Sequence, residues 1–352
     1  MTTAQIEFTE AELLSTHAVT EPLFAGGVRC HGGFDAAGDY ISPRTEFRAP
    51  AIVAWQDHHK QVFGKDRIEV PLETWPAHYP NVAQARHLIE ADVPQPLIST
   101  LTRIGKVEGF GANIRNLRPT NVQRWFDEDV KGSAIDHLGR GLFEAHGRDE
   151  AGFEEEAGHE QMWYAARDVA FGDRTTEIDM DALMDRLGFS PTAAAKRAAA
   201  PRLLPDDIEP ELEMVAGLMV RVLMIEVSAF HTFAWADAWL SDHNLVAGDG
   251  KAAELVACIR ADETPHVGYL ATALTEMRDR TWVGTAGAKH AGADMFQLIW
   301  DRALNASTGD AAVANRAAAA QEVAFWCAKA AKGDDILARF HGLADVEALQ
   351  PA

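Results

Sequence analysis

The residue pattern with the most chemistry in it is Glu-x-x-His, which occurs as Glu156-Ala157-Gly158-His159 and as Glu263-Thr264-Pro265-His266. Residues three apart on a helix stand side by side, so each pair can offer one cation a carboxylate oxygen and an imidazole nitrogen. Chance supplies roughly one such pair in a chain of this composition, so position decides its meaning. Both pairs fall mid-way along helical patterns, on the side that apolar residues mark as inward. Two further segments carry one glutamate each within an apolar stripe, Glu108 and Glu226. A buried carboxylate must be protonated, paired or bound to metal, and two histidines cannot neutralise four glutamates. Two divalent cations would, with a carboxylate bridging them. Mixed nitrogen and oxygen donors with open positions and no thiolate suit iron or manganese better than magnesium or a closed zinc site.

Four long helical segments must position these groups. In 96–117, Leu97, Leu101, Ile104, Glu108 and Gly111 share a face; in 141–171, Phe153, Glu156, His159, Trp163, Ala166 and Ala170 do so. The segment 211–240 is apolar almost all round, which marks the most buried helix, and only Arg221, Glu226 and His231 break it before Asp237. In 251–279 the stripe is Leu255, Ile259, Glu263, His266, Leu270, Leu274 and Met277. Pro265 interrupts that helix and predicts a kink or a π-bulge. The connection 172–210, with helical pieces near 181–187 and 191–200, is long enough to cross the end of a bundle. Residues 1–80 read as an irregular arm or cap with one hairpin, 28–31 against 39–42, turning at Asp35 and Gly38. The helical unit spans 81–285. In 286–352, Ala-rich helices near 290–305, 310–331 and 335–343 pack outside it.

The chain order Glu, Glu-x-x-His, Glu, Glu-x-x-His over about 82–280 resembles the ferritin-like di-iron oxidase and oxygenase superfamily. The resemblance implies an all-α fold: a ferritin-like four-helix bundle with extra C-terminal helices and a mostly irregular N-terminal arm. It assigns the ligand roles to Glu108, Glu156, His159, Glu226, Glu263 and His266, and makes Glu155 and Asp262 the outer carboxylates that hydrogen-bond ligand histidines. It further implies two iron ions, or a manganese–iron or manganese pair, with O2 as co-substrate. A small organic substrate would be hydroxylated, N-oxygenated or desaturated, and a homodimer is common for the architecture. The alternatives are a radical protein like the ribonucleotide reductase small subunit, or a ferritin- or rubrerythrin-like iron-binding protein without organic substrate. For the radical protein a tyrosine is expected one turn after the first histidine, where this chain has Trp163 followed by Tyr164.

The spacing departs from the pattern at one place. Glu226 and Glu263 are 37 residues apart, as two helices and a short loop require, but Glu108 and Glu156 are 48 apart, which an insertion around 118–131 would absorb. The alternative Glu90 would need 66 residues and sits just before Pro94, where its helix should end. Competing readings attach to the other residues as well. Glu154, Glu155 and Glu160 make a solvated face conceivable for Glu156 and His159, and Asp262 beside Glu263 allows a surface turn. A salt bridge from Glu226 to Arg221 is disfavoured, because five residues place them about 140° apart on a helix. His231, His146 and Asp149 lie near the ligand faces and stay open between additional ligands and hydrogen-bonded core residues.

Composition narrows the remaining classes. With 53 acidic against 32 basic residues the net charge is −21, which repels phosphate backbones and excludes a nucleic-acid partner. Cys30, Cys258 and Cys327 form no CxxC pair and are odd in number, so a reducing compartment is expected rather than a disulfide framework. The first residues lack the charged and apolar regions of a secretory signal, and the expected location is the cytoplasm. The apolar stretch 214–236 carries Arg221, Glu226 and His231 near its middle, which fits a buried helix better than a membrane span. No Gly-x-Gly-x-x-Gly fingerprint or cysteine cluster is present, so electrons are expected from an external reductase or ferredoxin.

Overall fold

A computed structural model describes residues 5–172, 191, 192, 195 and 201–346. The helical piece expected near 181–187, and most of that near 191–200, lie outside the described residues. The chain is mostly helical, with a three-stranded and a two-stranded antiparallel sheet. Its N-terminal part opens with the short helix α1 (Glu10–Leu13), closed by a Thr9/Glu12 capping box. The strands β1 (Glu21–Ala25), β2 (Val28–Phe34) and β3 (Tyr40–Ile41) follow in that spatial order. The expected hairpin lies between β2 and β3, where the Asp35 carboxylate accepts from the backbone N–H groups of Ala37 (2.8 Å) and Asp39 (3.0 Å).

The stretch read as irregular also contains a regular helix, α2 (Arg48–Phe63), ending at Gly64 with φ 66°. Its inward residues Ala51, Ile52, Trp55 and His59 recur at helical spacing. The polar run Asp57-His58-His59-Lys60 masks that stripe in the sequence.

The helices α3 (Val82–Glu90) and α4 (Gln95–Gly111) come next, then a 3-10 turn to Asn116 and the short α5 (Ala134–His137). The second long segment is two helices, α6 (Leu142–Ala151) and α7 (His159–Phe171), separated by 152–158. The longest helices are α8 (Pro210–Leu240) and α9 (Lys251–Arg278). The α-helix of α9 is unbroken through Pro265, so the expected π-bulge is not there. The hairpin β4 (Thr281–Val283) and β5 (Lys289–Ala291) leads to α10 (Gly292–Thr308), α11 (Asp310–Cys327) and α12 (Gly333–Gly342). Among the described residues no helix is long and apolar enough to cross a membrane.

Packing places α4 on α6 and α7, α8 on α9, and α9 on α7, while α2 and α10 cover α9 from outside. The apolar interior is in two parts. One holds Phe143, Leu223, Met224, Val227, Tyr269, Leu270, Leu274 and Met277; the other holds Leu97, Leu101, Trp163, Phe233, Leu255, Val256 and Ile259. On α8 and α9 the division falls between Val227 and Phe233 and between Ile259 and Tyr269, where the chain carries polar groups.

Trp55 ties the N-terminal region to this interior. It is fully buried, donates its indole N–H to Ile6 O (2.8 Å) and packs against Phe8 and His137. Trp55→Ala should cost about 3–5 kcal/mol in urea or thermal unfolding, through lost burial and the cavity left behind; a loss below about 1 kcal/mol would show that the arm is not anchored there.

Candidate metal centre

The polar division of the core is built from five helices. From α9 come Asp262, Glu263 and His266, from α8 Glu226, from α4 Glu108, from α6 His146, Asp149 and Glu150, and from the first position of α7 His159. All but Glu108 and Glu226 are at most 1% exposed; Glu226 is 5% exposed and Glu108 partly buried. Two groups share Glu150. His146, Glu150, Glu226 and His266 form one, and Glu108, Glu150, His159 and Glu263 the other, the ligand atoms of each lying within 4.8 Å of one another.

The distances show which atom faces which group. His266 Nδ1 is 2.7 Å from Glu263 Oε2 and 3.3 Å from Glu150 Oε1. His159 Nδ1 is 2.9 Å from Glu263 Oε1 and 3.5 Å from Glu150 Oε2. Both carboxylates therefore turn one oxygen to each group, the disposition of bridging ligands. His146 Nε2 lies 3.4 Å from Glu226 Oε1 and 3.6 Å from Glu150 Oε1. Several of these short approaches are not hydrogen bonds. Seven buried side-chain atoms here lack a partner: His146 Nε2, both oxygens of Glu150, both ring nitrogens of His159, Asp262 Oδ1 and Glu263 Oε1. Five of them, His146 Nε2, both Glu150 oxygens, His159 Nδ1 and Glu263 Oε1, belong to residues of the two groups and face one another across them without a hydrogen bond, which fits a cation in each group.

Outer carboxylates hold the histidines from behind. His266 Nε2 donates to Asp149 Oδ2 (2.9 Å), which also accepts from Arg48 (2.7 Å), while Arg44 Nε donates to Asp149 Oδ1 (2.5 Å). His159 Nε2 faces Asp262 Oδ2 at 3.5 Å. The same oxygen accepts from Tyr40 OH (3.0 Å) and from His31 Nε2 (3.0 Å). Arg44 donates to His31 Nδ1 (3.2 Å), so the ring proton of His31 sits on Nε2. Trp163 Nε1 donates to Glu108 Oε1 (3.2 Å), and Tyr269 OH is 3.0 Å from His146 Nδ1.

Electrostatics follows this geometry. Burial, reinforced by Glu150 and Glu263, pushes the Glu108 carboxyl well above its usual range; burial and Glu263 do the same to Glu226. Burial also opposes charge on Glu150 and Glu263, but His159 and His266 outweigh it and hold both at about 2. Glu263 foremost keeps the two imidazoles protonated against burial, well above the usual histidine range. The shifts therefore favour four protons here, on Glu108, Glu226 and the two imidazoles, beside the carboxylates of Glu150 and Glu263. Two divalent cations would replace those four protons with no change in total charge.

Of the residues singled out in the sequence, Glu108, His159, Glu226, Glu263 and His266 are brought together, and Asp262 stands behind His159. Glu156 is not: its side chain is 36% exposed and pairs with Arg29 (2.8 Å), and Glu155 is exposed. Glu150 and Asp149 occupy the places given to them. The reason is local. The chain leaves α6 at Gly152 (φ 82°), and Phe153 and Glu156 exchange two 3.0 Å backbone hydrogen bonds in a tight turn. Ala157 then pairs with β2 through Arg29 and His31, and Gly158 returns against Gly152. A Cβ at Gly158 would lie 2.2 Å from Gly152 N and 2.5 Å from Asp149 O, so only glycine fits. Without 153–158 the sequence reads Glu150-Ala151-Gly152-His159, a Glu-x-x-His motif interrupted by a six-residue excursion.

Two signals could have located it: the doublet Asp149-Glu150 repeats Asp262-Glu263, and Glu108 to Glu150 is 42 residues, nearer the 37 of the other half. Of the residues left open, His146 and Asp149 belong to the cluster, while His231 contacts Leu72 O (2.8 Å) and Glu90 is exposed at the end of α3. His31, Tyr40, Arg44 and Arg48 gave no local signal, because the carboxylates they hold, Asp149 and Asp262, lie more than a hundred residues away. Comparison with protein-family models, curated proteins and solved structures finds no match for the chain.

Glu150→Ala should therefore lower bound transition metal from about two ions per chain to less than one, whereas Glu156→Ala should leave it unchanged. Elemental analysis after anaerobic reconstitution reads both; the opposite ranking would restore Glu156 as the ligand.

Proposed function

We propose that the chain is an oxygen-dependent oxidoreductase carrying a carboxylate-bridged pair of transition-metal ions, iron foremost, with manganese–iron or manganese as the other pairs. Its α4, α6–α7, α8 and α9 would form the ferritin-like bundle. The observation that carries this reading is the set of buried, unpartnered donor atoms converging from these helices, both oxygens of Glu150 among them. Two such ions, when bound, supply one-electron changes at open coordination positions, the chemistry that couples reduction of O2 to oxidation of an organic bond.

The protein's own part is arrangement. Glu150 and Glu263 would span the pair, and Asp149 and Asp262 fix which imidazole nitrogen points inward. The indole N–H of Trp163 restrains Glu108. Glu108 and Glu226 are the least buried of the ligand carboxylates, so the approach for O2 and a small organic substrate lies on the side of α4 and α8. The two apolar halves of the core keep water from the remaining sides. For hydroxylation the balance is substrate, O2, two electrons and two protons giving hydroxylated product and water. The electrons come from an external reductase or ferredoxin.

A second reading, a radical-bearing protein, is favoured by one contact, the fully buried Tyr269 hydroxyl 3.0 Å from His146. One experiment addresses both. Protein loaded anaerobically with Fe2+ is exposed to O2, with metal content, O2 uptake and the paramagnetic resonance spectrum recorded. The proposal expects about two ions per chain and O2 uptake, both lost in Glu226→Ala and His266→Ala. A persistent organic radical absent from Tyr269→Phe would favour the second reading. Iron far beyond two per chain would favour storage, and no stoichiometric metal would overturn all three.

A further inference from the structure

The two halves of the centre repeat one another: Asp149-Glu150 with His159 against Asp262-Glu263 with His266, and Glu108 against Glu226. The repeat fails at one inward position. Four residues before Glu150, one turn back on the same face of α6, stands His146; four before Glu263 on α9 stands Ile259, fully buried in the apolar core. His146 is also fully buried, with Nε2 unpartnered and directed at Glu150 and Glu226, and with Nδ1 at Tyr269 OH. Resting on the dimetal reading above, we propose that the two positions are chemically unlike: the one formed by His146, His266 and Glu226 selects a nitrogen-preferring ion, and the one formed by Glu108 and His159 a harder ion.

The donor count gives the first reason. Glu150 belongs to both groups, and Glu263, a member of the second, turns its other oxygen to His266 (2.7 Å), so the difference lies in the remaining ligands, two imidazoles and a carboxylate against one imidazole and a carboxylate. Imidazole favours Fe2+, Co2+ and Zn2+ over Mn2+, whereas carboxylate and water suit Mn2+.

The surroundings of the two positions differ as well. Behind His266, Asp149 is held by two buried guanidiniums, Arg44 and Arg48, so that corner carries a net positive charge. Behind His159, Asp262 is held by the Tyr40 hydroxyl and by His31, whose Nδ1 accepts from Arg44 and which is therefore neutral. That corner is more negative, a difference that adds the same kind of attraction for either dication and leaves the choice between Mn2+ and Fe2+ to the imidazole count. In an interior shielded from water such a difference is not screened away.

The test uses full-length protein freed of metal and titrated with Co2+ alone, followed by calorimetry and the visible ligand-field spectrum. Two steps are expected, the first at least about tenfold tighter than the second. In His146→Ile, which copies Ile259, the tight step should weaken about tenfold while the second equivalent still binds. His146→Gln serves if the isoleucine variant does not fold. In a second arm, protein reconstituted with equal Mn2+ and Fe2+ is crystallised, and anomalous scattering at the two absorption edges should place iron beside His146 and manganese beside Glu108. Two equivalent Co2+ sites, indifferent to the substitution at 146, or scrambled Mn and Fe, would overturn the inference and leave the dimetal reading standing. Failure to bind Co2+ at all would overturn both.

Discussion

The constraint on which this molecule depends is the cost of placing seven ionisable side chains, His146, Glu150, His159, Glu226, Glu263, His266 and the partly buried Glu108, inside a core. Without compensation the carboxylates would each carry an unfavourable burial energy of several kcal/mol. The compensation is layered. Within the cluster, the imidazoles offset Glu150 and Glu263, while burial and the neighbouring carboxylates push Glu108 and Glu226 toward their protonated forms. Around it, Asp149 and Asp262 fix the imidazoles, and Arg44 and Arg48 hold Asp149 in turn. Two apolar clusters close over the whole. What stays uncompensated is a set of donor atoms with no partner, and that residue of unmet bonding is what a pair of cations would satisfy.

The N-terminal arm is accordingly part of the centre. Its strand β2 pairs with the excursion 152–158 at Ala157, and that pairing sets His31 against Asp262. Arg44 and Arg48 reach Asp149 from the segment that enters α2. One short insertion thus joins the two places where the arm meets the bundle. Closing a loop of this length has a small entropic cost, and the backbone pairing with β2 offsets part of it.

Legibility in the sequence followed the range of the interactions. The helices around Glu108 and Glu263 were readable because each repeats its apolar residues every three or four positions over several turns, and that around Glu226 because it is apolar almost all round. The α2 stripe was not, since six polar residues in a row, Gln56 to Gln61, cover it. The motif at 156–159 satisfied the spacing rule while its chain was not helical, and the glycines at 152 and 158, which bracket the excursion, were the overlooked sign. The arginines behind Asp149 left no mark at all: a contact across a hundred residues has no local periodicity.

The two halves depart from an ordinary helical sequence at the same point, between the inner glutamate and the histidine. In one half the chain leaves the helix altogether from Gly152 to Gly158; in the other, Pro265 lacks an N–H and so leaves Ala261 without its intrahelical donor. A regular i, i+3 pair stands side by side at about 5–6 Å, close enough for glutamate and histidine to meet on one cation. On α9 the helix continues through Pro265 and keeps that spacing, with His266 Nδ1 2.7 Å from Glu263 Oε2. In the other half the turn bracketed by Gly152 and Gly158 brings His159 back beside Glu150, Nδ1 to Oε2 3.5 Å, so one juxtaposition is held by a helix and the other by an excursion of the chain.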